Sequence, residues 1–348
     1  MQESLVNDYN VYALPIPETM DFAGEPVPLK EPDIRERLDR ELLVNTYWQS
    51  NGLLIIKRAN KYFPIIEPML EKYGLPDDFK YLAVAESGLM NNSSPAGAAG
   101  FWHFLSSTGR EYGLEINDYV DERYNLELAT KVAAEYLKKS KERFGSWTLA
   151  AAAYNAGNYG VSKQIDRQKA ENDYYDVLLN DETSRYVFRI LAFKTILSNP
   201  KKYGFNYREQ DLYQQVPTYK VKVDTAVTDF PDFADKFGIS YKVLKIHNPW
   251  LRDTYLKNAS GKEYYIEIRL QETEGSHIRY LGKEIDDIGR THTLGGSVRV
   301  LSGGWGFCSF DRLDDLQRYI ETAISNAKLV SSAGVKLAEV PPVVENVS

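Results

Sequence analysis

The chain has 348 residues, which at roughly 150 residues per domain corresponds to two or three domains. It carries 42 Lys and Arg against 49 Asp and Glu, a net charge of −7, and no long basic run, so nucleic acid is not an expected partner. The single cysteine, Cys308, excludes an intrachain disulfide framework and a thiolate metal cluster. With 43% hydrophobic and 26% charged residues, the composition is typical of a folded globular protein.

The sequence has no features of a membrane or secretory segment. No apolar run reaches the length of about 18 residues that suggests a membrane span, and the N-terminus lacks the basic and apolar regions of a signal peptide. We therefore expect any membrane association to depend on a signal or lipid anchor that is missing here.

The first predicted elements are an arm and a helical domain. Residues 1–32 contain five prolines and no helical period, which predicts an extended arm lying on the surface or partly disordered. Residues 33–205 have apolar residues at helical spacing and predict a domain that is nearly all α. After a first helix from Asp33, its helices are predicted near 53–73, 77–87, 127–144, 147–156 and 184–198.

One short helix in this domain contains a candidate acid. It is predicted to start at Pro76 and to stop before Gly88, and Glu86 falls on the same apolar stripe as Phe79 and Leu82. A carboxyl group removed from water near the C-terminal end of a helix has a raised pKa and can act as a general acid near neutrality. The spacing alone leaves open a buried glutamate paired with an arginine or with backbone amides.

Two later segments are rich in small residues. Residues 93–104, SSPAGAAGFWHF, predict a tight hairpin or loop packed against the preceding helix. Residues 150–157, AAAAYNAG, place four alanines before Tyr154 and Asn155, so this helix can approach a neighbour closely.

Two further motifs are TGREYGL at 108–114 and ETSRYV at 182–187. Together and in this order, the segments resemble the lytic transglycosylases of glycoside hydrolase family 23, relatives of goose-type lysozyme, and most closely the membrane-bound lytic murein transglycosylase D group. The resemblance covers about residues 60–205 and implies a lysozyme-like, mainly α catalytic domain. The matching elements are Glu86-Ser87, SPAGAAGFWHF from Ser94, TGREYGL at 108–114, AYNAG at 153–157 and ETSRYV at 182–187.

The resemblance implies that Glu86 is the catalytic residue. It would protonate the glycosidic oxygen between N-acetylmuramic acid and N-acetylglucosamine and then, as a carboxylate, deprotonate the muramic 6-hydroxyl. That hydroxyl attacks C1 and leaves a 1,6-anhydro end, so neither water nor a second carboxylate is needed, unlike in ordinary glycosidases. No cofactor is implied. The residues implied to hold the sugar or to orient the acid are Ser87, Ser94, Tyr154, Asn155 and Tyr186.

His103 departs from the family pattern, which usually has glutamine at this substrate-binding position. Imidazole lacks the paired donor and acceptor of an amide, so we expect altered substrate positioning and rate, with the proton-transfer role of Glu86 unaffected. We expect the neighbouring acids Asp77, Asp78 and Glu111 to be cap and surface charges.

The pattern changes after Asn199-Pro200. Residues 214–270 combine strand-like runs at 217–224 and 263–269 with two short helices over 230–247, a small βααβ domain. It resembles a divergent lysin motif, a module that binds chains containing N-acetylglucosamine, with Val223-Asp224-Thr225 in place of the usual Gly-Asp-Thr turn. The alternative is a domain that has lost binding and only packs against the helical domain.

The last segment, 276–330, predicts a short α+β unit with a strand at 298–301 and a helix near 312–328. It resembles the N-terminal segment of the modulator-of-gyrase family of metallopeptidases. Because the zinc-binding H-E-x-x-x-H helix of that family is absent, and His277 and His292 have no adjacent Glu, we expect no metal site. The tail, 331–348, is predicted to be disordered.

These patterns favour a peptidoglycan lytic transglycosylase whose partner is the glycan strand. Two alternatives stay open, a peptidoglycan-binding protein with weak or lost catalysis and a muramidase of the same fold that hydrolyses with water. Because peptidoglycan lies outside the cytoplasmic membrane, the resemblance implies a periplasmic or cell-envelope location.

Overall fold

The computed structural model of the protein describes residues 11–269, 273–281, 284–293, 296–301, 305–310 and 316–331. The chain forms two compact units, residues 1–269 and 270–348. The described part of the first unit contains a small hairpin followed by a helical region. Its hairpin strands are β1 (Asp21–Phe22) and β2 (Glu25–Pro26), and its helices are α1 (Pro32–Tyr47), α2 (Gln49–Lys72), α3 (Phe79–Ser87), α4 (Ser106–Glu111), α5 (Leu126–Phe144), α6 (Trp147–Ala156), α7 (Asn158–Gln168) and α8 (Asp181–Ser198).

The mainly helical fold is confirmed, and two of its helices were not predicted. Helix α7 buries only Val161 and Ile165, a single i, i+4 pair, so its apolar stripe is too short to stand out in the sequence. Helix α4 has six residues and buries only Gly109. The longer predicted helices correspond to α1, α2, α3, α5, α6 and α8.

The core of the helical region surrounds α8, which contacts α1, α3 and α6. The alanines at 150–153 of α6 are fully buried, so this helix packs closely against its neighbours, as the sequence indicates. Trp102, Phe79 and Phe188 are among the largest fully buried side chains of this core. The helices that carry the candidate site residues are therefore held in one continuous hydrophobic cluster.

Phe22, Val27 and Leu29 of the N-terminal arm are buried in this core, which corrects the expectation of an arm that only lies on the surface, while residues 11–21 are exposed or half-buried. Phe22 is fully buried and packs edge-on against Phe79, with ring centroids 5.3 Å apart. The Glu25 carboxylate accepts hydrogen bonds from the backbone amides of Trp147 (2.6 Å) and Thr148 (3.0 Å) at the start of α6. This part of the arm therefore contributes an apolar anchor and a helix cap.

The remainder of the first unit has the predicted βααβ order. Strands β3 (Thr218–Val223) and β4 (Tyr264–Arg269) pair antiparallel, with Thr218 opposite Arg269 and Val223 opposite Tyr264. Between them lie α9 (Phe230–Asp235) and α10 (Tyr241–His247), capped by the side chains of Asp229 and Ser240. We call this part, residues 218–269, the small domain.

The small domain packs against the helical region. The backbone amide of Asp121 donates to the carbonyl of Trp250 (2.9 Å), and that of Arg252 donates to Tyr119 (2.7 Å). Val120 is fully buried in the small domain's own apolar cluster. In addition, Lys262 Nζ contacts Glu122 at 2.6 Å and Glu115 at 2.8 Å. These contacts tie residues 115–122 of the helical region to the small domain.

The described part of the second unit contains two antiparallel hairpins and a helix. Strands β5 (Thr273–Leu281) and β6 (Glu284–Thr293) form one hairpin, and β7 (Gly296–Leu301) and β8 (Trp305–Phe310) form the other. Helix α11 (Leu316–Ser331) contacts β7 and β8, and residues 312–315 of the predicted helix lie outside the described residues. Residues 332–348 of the predicted tail lie outside the described residues, as do the side chains of His277 and His292.

Within the residues that the structure describes, no helix is both long enough and apolar enough to cross a membrane.

Candidate active site

The end of α3 presents Glu86. Phe79, Leu82 and Ala83 are fully buried on one face of the helix, and Gly88 ends it in the left-handed conformation with φ +60°. Glu86 lies on this apolar stripe one turn later, and its side chain keeps 15% of its surface exposed. The carboxyl group is thus largely removed from water.

Burial sets the protonation of this carboxyl group. It raises the pKa of Glu86 from its ordinary 4.5 to about 7, against the effect of the Tyr186 hydroxyl, which donates a hydrogen bond to Glu86 Oε1 and lowers it. The charge of Arg189 also lowers this pKa, and that of Glu182 raises it. The side chain is therefore near half-protonated at neutral pH, as a group needs to be to act first as an acid and then as a base.

Two tyrosines on neighbouring helices face the carboxyl group. Tyr186, on α8, is 1% exposed, and its phenol donates to Glu86. Tyr154, on α6, donates to the backbone carbonyl of Trp102 at 2.7 Å. Burial and the nearby Glu86 charge hold the pKa of both phenols well above the ordinary 10, so both remain hydrogen-bond donors at neutral pH.

The predicted loop at 93–104 packs on α3 beside Glu86. Its backbone forms isolated bridges from Ala99 to Ser93 and to Phe104. The buried Arg123 guanidinium donates to the carbonyls of Gly97 (2.9 Å) and Phe104 (3.0 Å), which closes the hairpin from behind. Residues 93–104 are therefore fixed from two sides, by α3 and by Arg123.

Gly100 packs directly against the backbone of Arg123. It has φ +82°, and an added Cβ would lie 1.9 Å from the carbonyl oxygen of Arg123. Only glycine fits both this conformation and this contact.

Three of the predicted site residues form side-chain hydrogen bonds to other protein atoms. The Ser87 hydroxyl donates to the carbonyls of Phe101 (2.8 Å) and Ala83 (3.1 Å), which fixes the hairpin on α3. Ser94 Oγ accepts from the amide of Ala98 at 3.2 Å inside the hairpin. Asn155 Oδ1 accepts from Thr183 Oγ1 at 2.8 Å, which links α6 to the first turn of α8. These three side chains therefore support the backbone around the site, whereas His103, Tyr154 and Tyr186 lie next to Glu86.

His103 lies at the tip of the hairpin, with a side chain that is 14% exposed. Its Nδ1 is 3.7 Å from Glu86 Oε2, and its Nε2 is 2.9 Å from Asn92 Oδ1. The residue has φ +47°, a left-handed conformation that is uncommon outside glycine. Burial lowers the pKa of His103 below its ordinary 6.5, so its imidazole is neutral at neutral pH.

Sequence reasoning missed Asn92 and Arg189. Asn92 lies in the polar run at 91–94, and nothing in that run distinguishes it from an ordinary loop residue. Arg189 lies three residues after Tyr186 on α8, so helical spacing could have placed it on the same face. Its guanidinium contacts Glu182 at 2.9 Å and the buried Glu41 at 3.5 Å.

Asp77, Asp78 and Glu111, expected to be cap and surface charges, differ in their exposure and in their ion pairs. Glu111 is exposed, and Asp77 contacts Lys80 at 2.6 Å. Asp78, however, is a largely buried ion-pair partner, which corrects that expectation. Its Oδ2 lies 2.7 Å from Lys194 on α8 and accepts from the amide of Ala23 at 2.7 Å.

Among the described residues, no three histidine, cysteine, aspartate or glutamate side chains come together as metal ligands.

Family models match three successive parts of the chain. Residues 63–177 match the transglycosylase SLT domain, and residues 219–272 match the soluble lytic transglycosylase C-terminal LysM-like domain. Residues 266–327 match the PmbA/TldA metallopeptidase domain 1.

Curated relatives show the same division. The chain is 32% identical over 251 residues to membrane-bound lytic murein transglycosylase D of Escherichia coli strain K12, an alignment that covers 70% of this chain and 54% of the relative. It is 35% identical over 101 residues to metalloprotease slr0863 of Synechocystis, covering 29% of this chain and 21% of that protein. The chain thus spans about half the length of the transglycosylase it matches.

The matched regions agree with the geometry, since residues 63–177 contain Glu86, the hairpin and Tyr154. The chain therefore carries a transglycosylase SLT domain, followed by a LysM-like domain of the lytic transglycosylase type and a segment of the PmbA/TldA metallopeptidase kind.

Proposed function

We propose that the protein is a peptidoglycan lytic transglycosylase with Glu86 as its general acid and base. The observation that carries this proposal is one largely buried carboxyl group with a pKa of about 7, whose side chain keeps 15% of its surface exposed. Glu182, the other carboxylate whose charge acts on Glu86, is half exposed and paired with Arg189, so it is a poor candidate for a second catalytic acid.

One carboxyl group is sufficient for the reaction. Protonated Glu86 gives its proton to the oxygen between N-acetylmuramic acid and N-acetylglucosamine, and the bond from that oxygen to C1 breaks. The resulting carboxylate takes the proton of the muramic 6-hydroxyl, whose oxygen forms the new bond to C1. The products are a free 4-hydroxyl and a 1,6-anhydro ring, and Glu86 is protonated again without consumption of water.

The surroundings of Glu86 stabilise both the carboxylate and the protonated acid. When Glu86 is a carboxylate, the Tyr186 phenol and the Arg189 charge stabilise it. When it is an acid, the buried surroundings favour the neutral form. Ser87 and Ser94 act through the shape of the hairpin, and His103 and Tyr154 border the space beside Glu86 where a sugar would bind.

We infer that the small domain supports the helical region in this enzyme. Its backbone pairing with Tyr119 and Asp121, and the contacts of Lys262 with Glu115 and Glu122, favour a fixed position within the first unit. Glycan binding by the small domain remains a separate proposal, for which exposed Tyr265 on β4 is a candidate stacking surface. The proposed substrate places the protein in the periplasm or cell envelope.

Digestion of purified peptidoglycan tests the catalytic role. The wild type should release soluble muropeptides, Glu86→Gln should release none above background, and Glu111→Gln, which alters an exposed acid outside the site, should match the wild type. A fully active Glu86→Gln variant would contradict the assignment. An inactive wild type that still pellets with peptidoglycan would support the binding-protein alternative.

A further inference from the structure

The hydrogen bond from Tyr186 distinguishes the two oxygens of Glu86. Oε1 accepts from the phenol, so in the protonated carboxyl group Oε1 serves as the carbonyl-like acceptor. The acid proton then resides on Oε2. This is the oxygen that lies 3.7 Å from His103 Nδ1.

Asn92 determines which nitrogen of His103 carries hydrogen. Asn92 Oδ1 is an acceptor only, so His103 Nε2, at 2.9 Å, must be the donor. A neutral imidazole with hydrogen on Nε2 has a lone pair on Nδ1. That lone pair faces Glu86 Oε2, and a movement of about 1 Å would bring the two atoms to hydrogen-bond distance.

We propose that His103 is a positioning residue that holds the acid proton of Glu86 on Oε2, and that Asn92 keeps the imidazole in the tautomer required for this. The proposal rests on the proposed function, because it concerns the same acid. A lone pair facing Oε2 favours the protonated carboxyl group and disfavours the carboxylate. The amide of a glutamine at this position can instead turn an N–H toward the carboxylate and stabilise it.

The other groups around Glu86 do not replace this interaction. Tyr186 and Arg189 favour the carboxylate, while Glu182 acts through its charge and is already paired with Arg189. Tyr154 donates to the Trp102 carbonyl. The charged and titratable groups around the carboxyl group are thus Tyr186, Arg189 and Glu182 on α8, Tyr154 on α6 and His103 on the hairpin.

The proposal is tested by the pH dependence of kcat/KM, whose basic limb reports the pKa of the acid in the free enzyme. His103→Gln should move that limb to lower pH by roughly half a unit to one unit, because the lone pair facing Oε2 is lost. Asn92→Asp should also lower it, since a carboxylate at Nε2 favours the imidazolium, whose charge stabilises the Glu86 carboxylate.

The double variant provides the decisive comparison. If Asn92 acts through the imidazole, Asn92→Asp added to His103→Gln should not lower the basic limb further, because without an imidazolium the added carboxylate can only raise the pKa of Glu86. The matched control is His247→Gln on α10, outside the site, which should leave the wild-type profile unchanged. A basic limb that stays in place in His103→Gln, with only KM raised, would overturn the proposal and leave His103 as a substrate contact.

A measurement without substrate separates this proposal from the proposed function. Titration of the 13C-labelled Glu86 carboxyl group by NMR should give a lower midpoint in His103→Gln and in Asn92→Asp than in the wild type. Lower midpoints in a protein without activity would support the proton-holding role and contradict the enzyme assignment. Equal midpoints in the three proteins would contradict the proposal whether or not the protein is active.

Discussion

The phenol of Tyr186 on α8 donates a hydrogen bond to Glu86 Oε1 on α3, across 100 residues of sequence. This contact joins the two helices at the carboxyl group and makes the two carboxyl oxygens inequivalent. It lowers the pKa of Glu86, while burial raises it.

Tyr186→Phe should move the basic limb of the activity profile to higher pH. Loss of a hydrogen bond that stabilises the carboxylate raises the pKa of Glu86 above about 7, by roughly one unit. We also expect a lower kcat, because the carboxylate that accepts the sugar proton loses its orienting partner. The matched control is Tyr203→Phe, whose hydroxyl donates to the carbonyl of Pro15 at 3.1 Å. A basic limb unmoved by Tyr186→Phe would contradict this role.

Glu86 should make the folded protein less stable as the pH rises. Its folded pKa of about 7 exceeds the ordinary 4.5, so the folded state binds more protons between these values and its free energy of unfolding falls with increasing pH. Glu86→Gln removes this loss. The free energy of unfolding of Glu86→Gln, relative to the wild type, should therefore increase by on the order of 3 kcal/mol between pH 4.5 and pH 7. Above pH 7 the difference should level off.

Urea unfolding of the wild type, Glu86→Gln and Glu111→Gln over this pH range measures the difference. Glu111→Gln, which replaces an exposed carboxyl group outside the site, is the matched control. A pH-independent difference for Glu86→Gln would show that this carboxyl group does not have a raised pKa.

Gly100→Ala should destabilise the hairpin through a backbone clash. The added Cβ would lie 1.9 Å from the Arg123 carbonyl oxygen. This oxygen is a backbone atom, so it cannot move away as the end of a flexible side chain could. We expect the free energy of unfolding to fall by about 3 kcal/mol, with loss of activity because His103 and the Glu86 environment shift.

Gly97→Ala is the matched control for this clash. Gly97 has the same φ of +82°, but no described atom beyond its chain neighbours lies within 4 Å of the added Cβ. It should lose only about 1 kcal/mol, the cost of the left-handed conformation itself. Equal losses for both variants, measured by urea unfolding, would show that the contact with Arg123 is not the cause.

Lys262→Met should destabilise the junction between the helical region and the small domain. It removes the cation next to Glu122, which is 4% exposed and would remain as a poorly compensated buried charge. We expect a loss of about 2 kcal/mol in the free energy of unfolding, and a smaller loss for Lys222→Met, whose ion pair with Glu263 is half exposed. Similar losses for both would argue against the junction role.

The sequence predicts those features that depend on a regular pattern. The apolar stripe of α3 predicts both the helix and the burial of Glu86, and the four alanines of α6 predict its close packing. The irregular features follow from contacts between distant segments, which periodicity does not report. Phe22 is in the core because Phe79 covers it, and Asp78 is buried because Lys194 approaches from α8.

In the candidate site, too, the sequence predicts some of the residues but not the contacts between them. The resemblance names Tyr186 and His103, but the hydrogen bond that selects Glu86 Oε1 and the contact of His103 with Asn92 depend on the tertiary structure. The inward hydroxyl of Ser87 likewise follows from the hairpin that lies over α3.

The most direct test of the account is to digest peptidoglycan in water enriched in 18O and to analyse the new muramic ends by mass spectrometry. Since the proposed reaction uses the 6-hydroxyl of the sugar, we predict 1,6-anhydro ends that lack one water and carry no 18O, and none of them from Glu86→Gln. Reducing ends carrying one 18O atom would instead show hydrolysis by a muramidase and would contradict the proposed mechanism.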